Sequence, residues 1–172
     1  RNPRFKNISE LFKLQRLFDR FCAKPTYLTS YAVIKSSSIS VLKDIAKSTN
    51  CEIATHLHAH ETPPFIPQIK GDGSYLHQYS LEVQDQKMEN LDNLIMETFG
   101  YKSVSYRGGR WSFDKNAVSI LAKYGYLVDS SVTPGISWEN DGGVNFKKYP
   151  YNDYFIQIDR EPDMLEVPAS IK

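Results

Sequence analysis

The stretch Cys51-Glu52-Ile53-Ala54-Thr55-His56-Leu57-His58-Ala59-His60 joins a run of strand-forming residues to three histidines at alternate positions. Cys51 to about Leu57 reads as a buried strand. On an extended strand alternate residues share a face, so His56, His58 and His60 would point the same way. Neutral imidazole is a common ligand for borderline metals such as zinc. Geometry limits which nitrogens share one ion. At a strand rise of roughly 3.3 Å per residue, His56 and His60 lie about 13 Å apart, too far for one metal. His56 and His58, about 7 Å apart on the same scale, can converge. Alternatively the strand ends near His56 and a turn brings His60 back, which the loop signals Pro63-Pro64 and Gly71-Asp72-Gly73 favour. His77 stands alone and carries no expectation.

Working outward, residues 8–22 place Ile8, Leu11, Phe12, Leu14, Leu17, Phe18 and Phe21 at helical spacing, with Ser9 or Asn7 as a cap and Pro25 as a stop. Residues 26–34 are rich in β-formers and read as a strand. Residues 38–48 read as a helix. Residues 79–98 form the longest helical pattern, with Leu81, Met88, Leu91, Leu94, Ile95 and Phe99 near its apolar face and Gly100 at its C-cap. A strand over 102–106, a helix over 115–124 capped by Asp114 and a strand over 126–129 follow. Residues 133–152 read as an irregular loop, and 154–158 and 165–167 as final strands. Helix alternating with strand predicts an α/β fold with parallel strands. In such folds chemistry gathers beyond the C-terminal strand ends, where His56 to His60, Arg107 and Asp129 fall.

The 172 residues suit one domain, and 41% apolar with 24% charged residues reads as globular. A net charge of +1, with no long basic block, gives no support to nucleic-acid binding. No apolar run reaches membrane-span length, so no membrane insertion is expected. Two cysteines, Cys22 and Cys51, do not make a disulfide framework, and buried unbridged thiols are expected. The first residues, Arg1-Asn2-Pro3-Arg4-Phe5, lack a signal-peptide core, which tilts the expected location to the cytoplasm. The missing initiator methionine points to a processed or excised piece.

Several stretches, in order along residues 8–135, resemble the polysaccharide deacetylases, the NodB-homology domains of carbohydrate esterase family four. Thr55-His56-Leu57-His58-Ala59-His60 is similar to the second motif, in which His56 and His60 match two metal histidines. Pro25-Thr26-Tyr27-Leu28 looks like the preceding strand. Ser105-Tyr106-Arg107-Gly108-Gly109-Arg110-Trp111 resembles the third motif, an arginine followed by a groove-wall aromatic. Tyr124-Gly125-Tyr126-Leu127-Val128-Asp129-Ser130-Ser131 looks like the segment leading to the fourth. The pattern is that of a divergent branch. Leu57 stands where the family has Ser or Thr, and His58 is an additional ligand candidate beside His60. The first motif, a strand ending in two aspartates, and the fifth, with an acid histidine, have no counterpart. The resemblance therefore implies the middle part of one deacetylase domain, incomplete at both ends and folded as a partial (β/α) barrel.

The resemblance also implies a chemistry. A divalent metal, zinc first and cobalt or nickel as alternatives, polarises the acetyl carbonyl and activates water. His56 with His60 or His58 holds it, and Arg107 fixes an aspartate base. Asp129 orients the acid histidine, and Trp111 and Tyr106 bind the glycan substrate. N-acetyl hydrolysis is favoured over O-acetyl. The alternative is a non-catalytic domain that keeps the fold and only binds glycan.

Overall fold

The computed structural model describes residues 5, 7–47, 50–67, 70–158 and 163–170. Among them six strands form one sheet in the order β1-β2-β3-β4-β6-β5. The strands are β1 (Thr26–Thr29), β2 (Glu52–Leu57), β3 (Ser105–Gly108), β4 (Val128–Asp129), β5 (Tyr154–Ile156) and β6 (Met164–Glu166). Neighbours from β1 to β4, and β4 with β6, run parallel, while β5 pairs antiparallel with β6 at the edge. The helices are α1 (Leu11–Arg20), α2 (Tyr31–Ile34), α3 (Ile39–Ala46), α4 (Leu81–Phe99) and α5 (Lys115–Lys123). Strand and helix alternate up to β4, as the sequence pattern predicts for a parallel α/β fold.

Local chemistry explains most boundaries. Ser80 accepts a hydrogen bond from the Val83 N–H and opens α4, and Asp114 accepts one from Ala117 and opens α5. Gly100 closes α4 with φ 79°, a left-handed conformation that glycine adopts without steric cost. No helix among the described residues is long and apolar enough to cross a membrane.

The differences from expectation are tertiary. Strand β1 stops at Thr29, and Tyr31–Ile34 turn into α2, where the N–H of Ile34 donates to Ser30 O at 3.1 Å. β-propensity yields there because helical geometry buries Ile34 against the core. Strand β3 covers 105–108, not 102–106. Helix α1 has no side-chain cap, and its apolar stripe is turned outward: Phe12, Leu14, Leu17 and Phe21 are exposed. Its buried residue is Gln15, bonded to Asp19 and accepting from the Tyr27 hydroxyl. Leu81 is likewise exposed on α4. The expected end of α3 at residue 48 lies outside the described residues. Cys22 and Cys51 form no disulfide; Cys22 is exposed and Cys51 half-buried.

Register sorts the sheet's polar residues into two rows. Thr55 pairs with Tyr106, Tyr106 with Asp129, and Asp129 with Glu166. One residue on, His56 pairs with Arg107. Side chains alternate along a strand, so the two rows face opposite ways. The first row faces the helices: Thr55 Oγ1 lies 2.8 Å from the Tyr126 hydroxyl, which donates to Asp92 of α4. The second row faces away from α4 and α5.

Candidate functional site

His56 and Arg107 line one cleft of about 360 Å³ with Leu28, Gly108, Arg110 and Trp111. The cleft lies at the C-terminal ends of β2 and β3, where a parallel sheet leaves backbone groups and loop residues for ligands. His56 Nδ1 is 2.8 Å from the Arg107 carbonyl oxygen. A carbonyl only accepts, so Nδ1 carries the ring proton and Nε2 keeps its lone pair. A metal-binding histidine is commonly oriented in this way. Burial, then the neighbouring His58, pulls the His56 pKa down to about 4, so the ring is neutral at pH 7.

Strand β2 ends at Leu57, and the N–H groups of Glu61 and Thr62 both donate to the His58 carbonyl at 3.1 Å. This turn puts the three imidazoles in sequence, His56 against His58 at 4.5 Å between ring centres and His58 against His60 at 5.5 Å. His58 Nδ1 is buried and has no hydrogen-bond partner among the described residues, and burial lowers its pKa. Its ring lies on Gly109: an added Cβ there would sit 2.6 Å from Leu57 O and 2.7 Å from His58 Nδ1. His60 is half-exposed and lies 3.8 Å from Glu61. The donor chemistry suits a borderline divalent ion. The count falls short, because no group of three His, Cys, Asp or Glu among the described residues is arranged to hold a metal. His56 fits as one ligand and His58 or His60 as a second; the remainder of a closed shell is not among these residues.

Arg107 donates from Nε to the Ser130 carbonyl at 2.9 Å and from a terminal nitrogen to Ser130 Oγ at 2.5 Å. Its guanidinium stands 5.2 Å from the centre of the Trp111 ring. Arg110 and Trp111 have φ of 53° and 60°, left-handed values that cost non-glycine residues about 1–2 kcal/mol each. Arg110 is tied to Ser74 Oγ at 2.6 Å and lies over Tyr75 at 4.5 Å. The strained pair places Trp111 on the cleft wall beside Arg107.

Two expected site residues sit elsewhere. Tyr106 is fully buried among core side chains, with no surface turned to the cleft, and its hydroxyl has no hydrogen-bond partner among the described residues. Asp129 reaches the same end of the sheet as His56 and Arg107 but belongs to the Tyr106 row. It is fully buried, and its carboxylate accepts from the N–H and the hydroxyl of Ser131 at 2.8 and 2.7 Å. Beside it stands Glu166, which sequence reading passed over; Glu166 accepts from the Val132 N–H at 3.1 Å. Burial raises the pKa of both Glu166 and Asp129, so the pair keeps a proton between them at neutral pH, and the two Ser131 bonds favour the charge on Asp129. Glu166 is the last residue of the short strand Met164–Glu166, where a carboxylate in the sequence reads as solvated.

No protein-family model matches the sequence, and no curated protein does. Solved structures do match. A Mycobacterium smegmatis protein assigned as a polysaccharide deacetylase superposes with a TM-score of 0.69 at 19% identity, over 93% of this chain and 45% of its own. The CE4 domain of a multidomain xylanase from the hindgut metagenome of Trinervitermes trinervoides gives 0.54 at 14% identity, over 77% and 54%. The Streptococcus pyogenes deacetylase PplD in complex with acetate gives 0.54 at 15% identity, over 91% and 57%. The chain thus spans about half the length of each solved relative. Its parallel sheet alternating with helices is a partial barrel of the NodB-like deacetylase fold.

Proposed function

We propose that the protein containing this chain removes acetyl groups from a glycan, N-acetyl in preference to O-acetyl, with a divalent metal at the histidine end of the cleft. The observation that carries this reading is His56: its Nδ1–H is spent on the Arg107 carbonyl, leaving Nε2 available in a cleft shared with Arg107 and Trp111. His56, with His58 or His60, would hold zinc, cobalt or nickel, which when bound supplies Lewis acidity toward an acetyl carbonyl and its attacking water. The half-buried guanidinium of Arg107, anchored on Ser130, presents a positive charge that would fix a carboxylate base in the cleft. Trp111 offers an aromatic face to a sugar ring. The remaining ligand and the base are proposed to come from the part of the relatives' fold that this chain does not span.

The incomplete ligand set among the described residues favours a second reading, a glycan-binding domain without turnover. Release of free amine from chito-oligosaccharide by the full-length protein, with added zinc or cobalt, separates the two. Turnover that disappears in His56→Ala is the expected result. Binding of the oligosaccharide with no turnover, on N- and O-acetyl substrates alike, would establish the second reading.

A further inference from the structure

Lys87 is 1% exposed, in the middle of α4. Its ammonium donates to three carbonyl oxygens of the loop after β2: Ala59 at 2.9 Å, Thr62 at 2.7 Å and Pro64 at 2.8 Å. The Tyr79 ring stands 4.6 Å away and closes the remaining side. One turn along α4, Asn90 donates to the Pro63 carbonyl at 3.1 Å. Three carbonyl dipoles aimed at one point repel one another unless a cation stands there. Dehydrating an ammonium is costly, so a well-packed apolar residue would serve stability at least as well. What the buried cation delivers is the shape of the loop.

That shape leads directly to the histidines. Thr62, whose carbonyl Lys87 holds, donates through both its N–H and its hydroxyl to the His58 carbonyl, at 3.1 and 3.0 Å. The His58 ring in turn rests on Gly109 and against His56 and His60. We propose that Lys87 is the positioning residue of this loop, a tethered cation in a carbonyl cage that sets where His58 and His60 stand relative to His56. The proposal rests on the metal reading of the cleft for its purpose and on the cage alone for its geometry.

The test uses the full-length protein, Lys87→Met and Thr62→Val, with two readouts. In Lys87→Met, amide hydrogen exchange at residues 58–65 should accelerate at least tenfold while β2 and the rest of α4 keep wild-type protection. Cobalt(II) affinity, measured by chelator competition, should fall at least tenfold in Lys87→Met and several-fold in Thr62→Val. Unchanged loop exchange, or acceleration spread evenly over α4 and the sheet, would overturn the clamp. A loosened loop with wild-type cobalt affinity would overturn its role in positioning. If Lys87→Met does not fold, Thr62→Val decides, and unchanged cobalt affinity there rejects the proposal. If the wild-type protein binds no cobalt, the metal reading falls, and the exchange measurement still decides the clamp.

Discussion

The two walls of the cleft are held from behind by buried ionisable groups of opposite kinds. Behind the histidine wall stands a cation, Lys87, donating to the carbonyls of residues 59, 62 and 64. Behind the arginine wall stand two acids, Asp129 and Glu166, accepting from the N–H groups of residues 131 and 132. Ser131 passes the hold on, accepting from the Gly108 N–H at 2.8 Å, next to Arg107. The loops at strand ends present either carbonyls or N–H groups inward, and the buried partner is the matching donor or acceptor. The difference is in satisfaction. All three Lys87 donors are used on carbonyls, whereas the two acids face each other and settle their charge by sharing a proton.

The largest expected effect tests which acid is ionised. Asp129→Ala should cost about 3–5 kcal/mol in urea unfolding, because it removes the acceptor for two Ser131 bonds inside the core. Glu166→Gln, the neutral look-alike of a protonated glutamate, should cost less than about 1 kcal/mol. Equal costs would mean that the proton is not on Glu166. Next in size, His56→Ala should weaken zinc binding in the full-length protein by roughly 100-fold or more, and a competition titration with unchanged affinity would remove the histidine wall from the metal site.

Gly109→Ala joins the two walls. Its Cβ would sit 2.6 Å from Leu57 O and 2.7 Å from His58 Nδ1, so the end of β2 and the ring must both shift, at about 1–3 kcal/mol of overpacking. Histidine NMR shifts should change at His58 before Tm moves far; an unperturbed His58 signal would contradict this packing.

The smallest effect is in pH dependence, and the walls should slope in opposite directions. Glu166 goes from 4.5 when unfolded to about 10 in the fold. The native state then keeps a proton that the unfolded chain loses, so this contribution is full below 4.5 and fades as pH rises toward 10. Burial lowers Lys87 from 10.5 to about 8, which makes stability rise with pH between those values. Its three carbonyl partners favour the ammonium and flatten that rise. Stability curves from pH 5 to 10 should lose the downward component in Glu166→Gln and the shallow upward one in Lys87→Met. Parallel curves for wild type and Glu166→Gln would show that Glu166 is not held protonated.

The alternation of strands and helices, the caps at Asp114 and Gly100, and the placing of His56 and Arg107 at strand ends were legible along the chain alone. These follow from periodicity and local backbone chemistry, which act over a few residues. The fold supplied what depends on partners distant along the chain. It turned residues 31–34 from strand to helix, and it exposed the apolar stripe of α1, because burial depends on what packs nearby. It set the register, and register is what parts Asp129 and Tyr106 from the cleft: a one-residue step reverses the face of a strand residue. Lys87 and Glu166 were illegible for the same reason. A charged residue in a helix or strand pattern reads as solvated, and only the fold brings to Lys87 three carbonyls from at least 23 residues away and to Glu166 an acid 37 positions upstream.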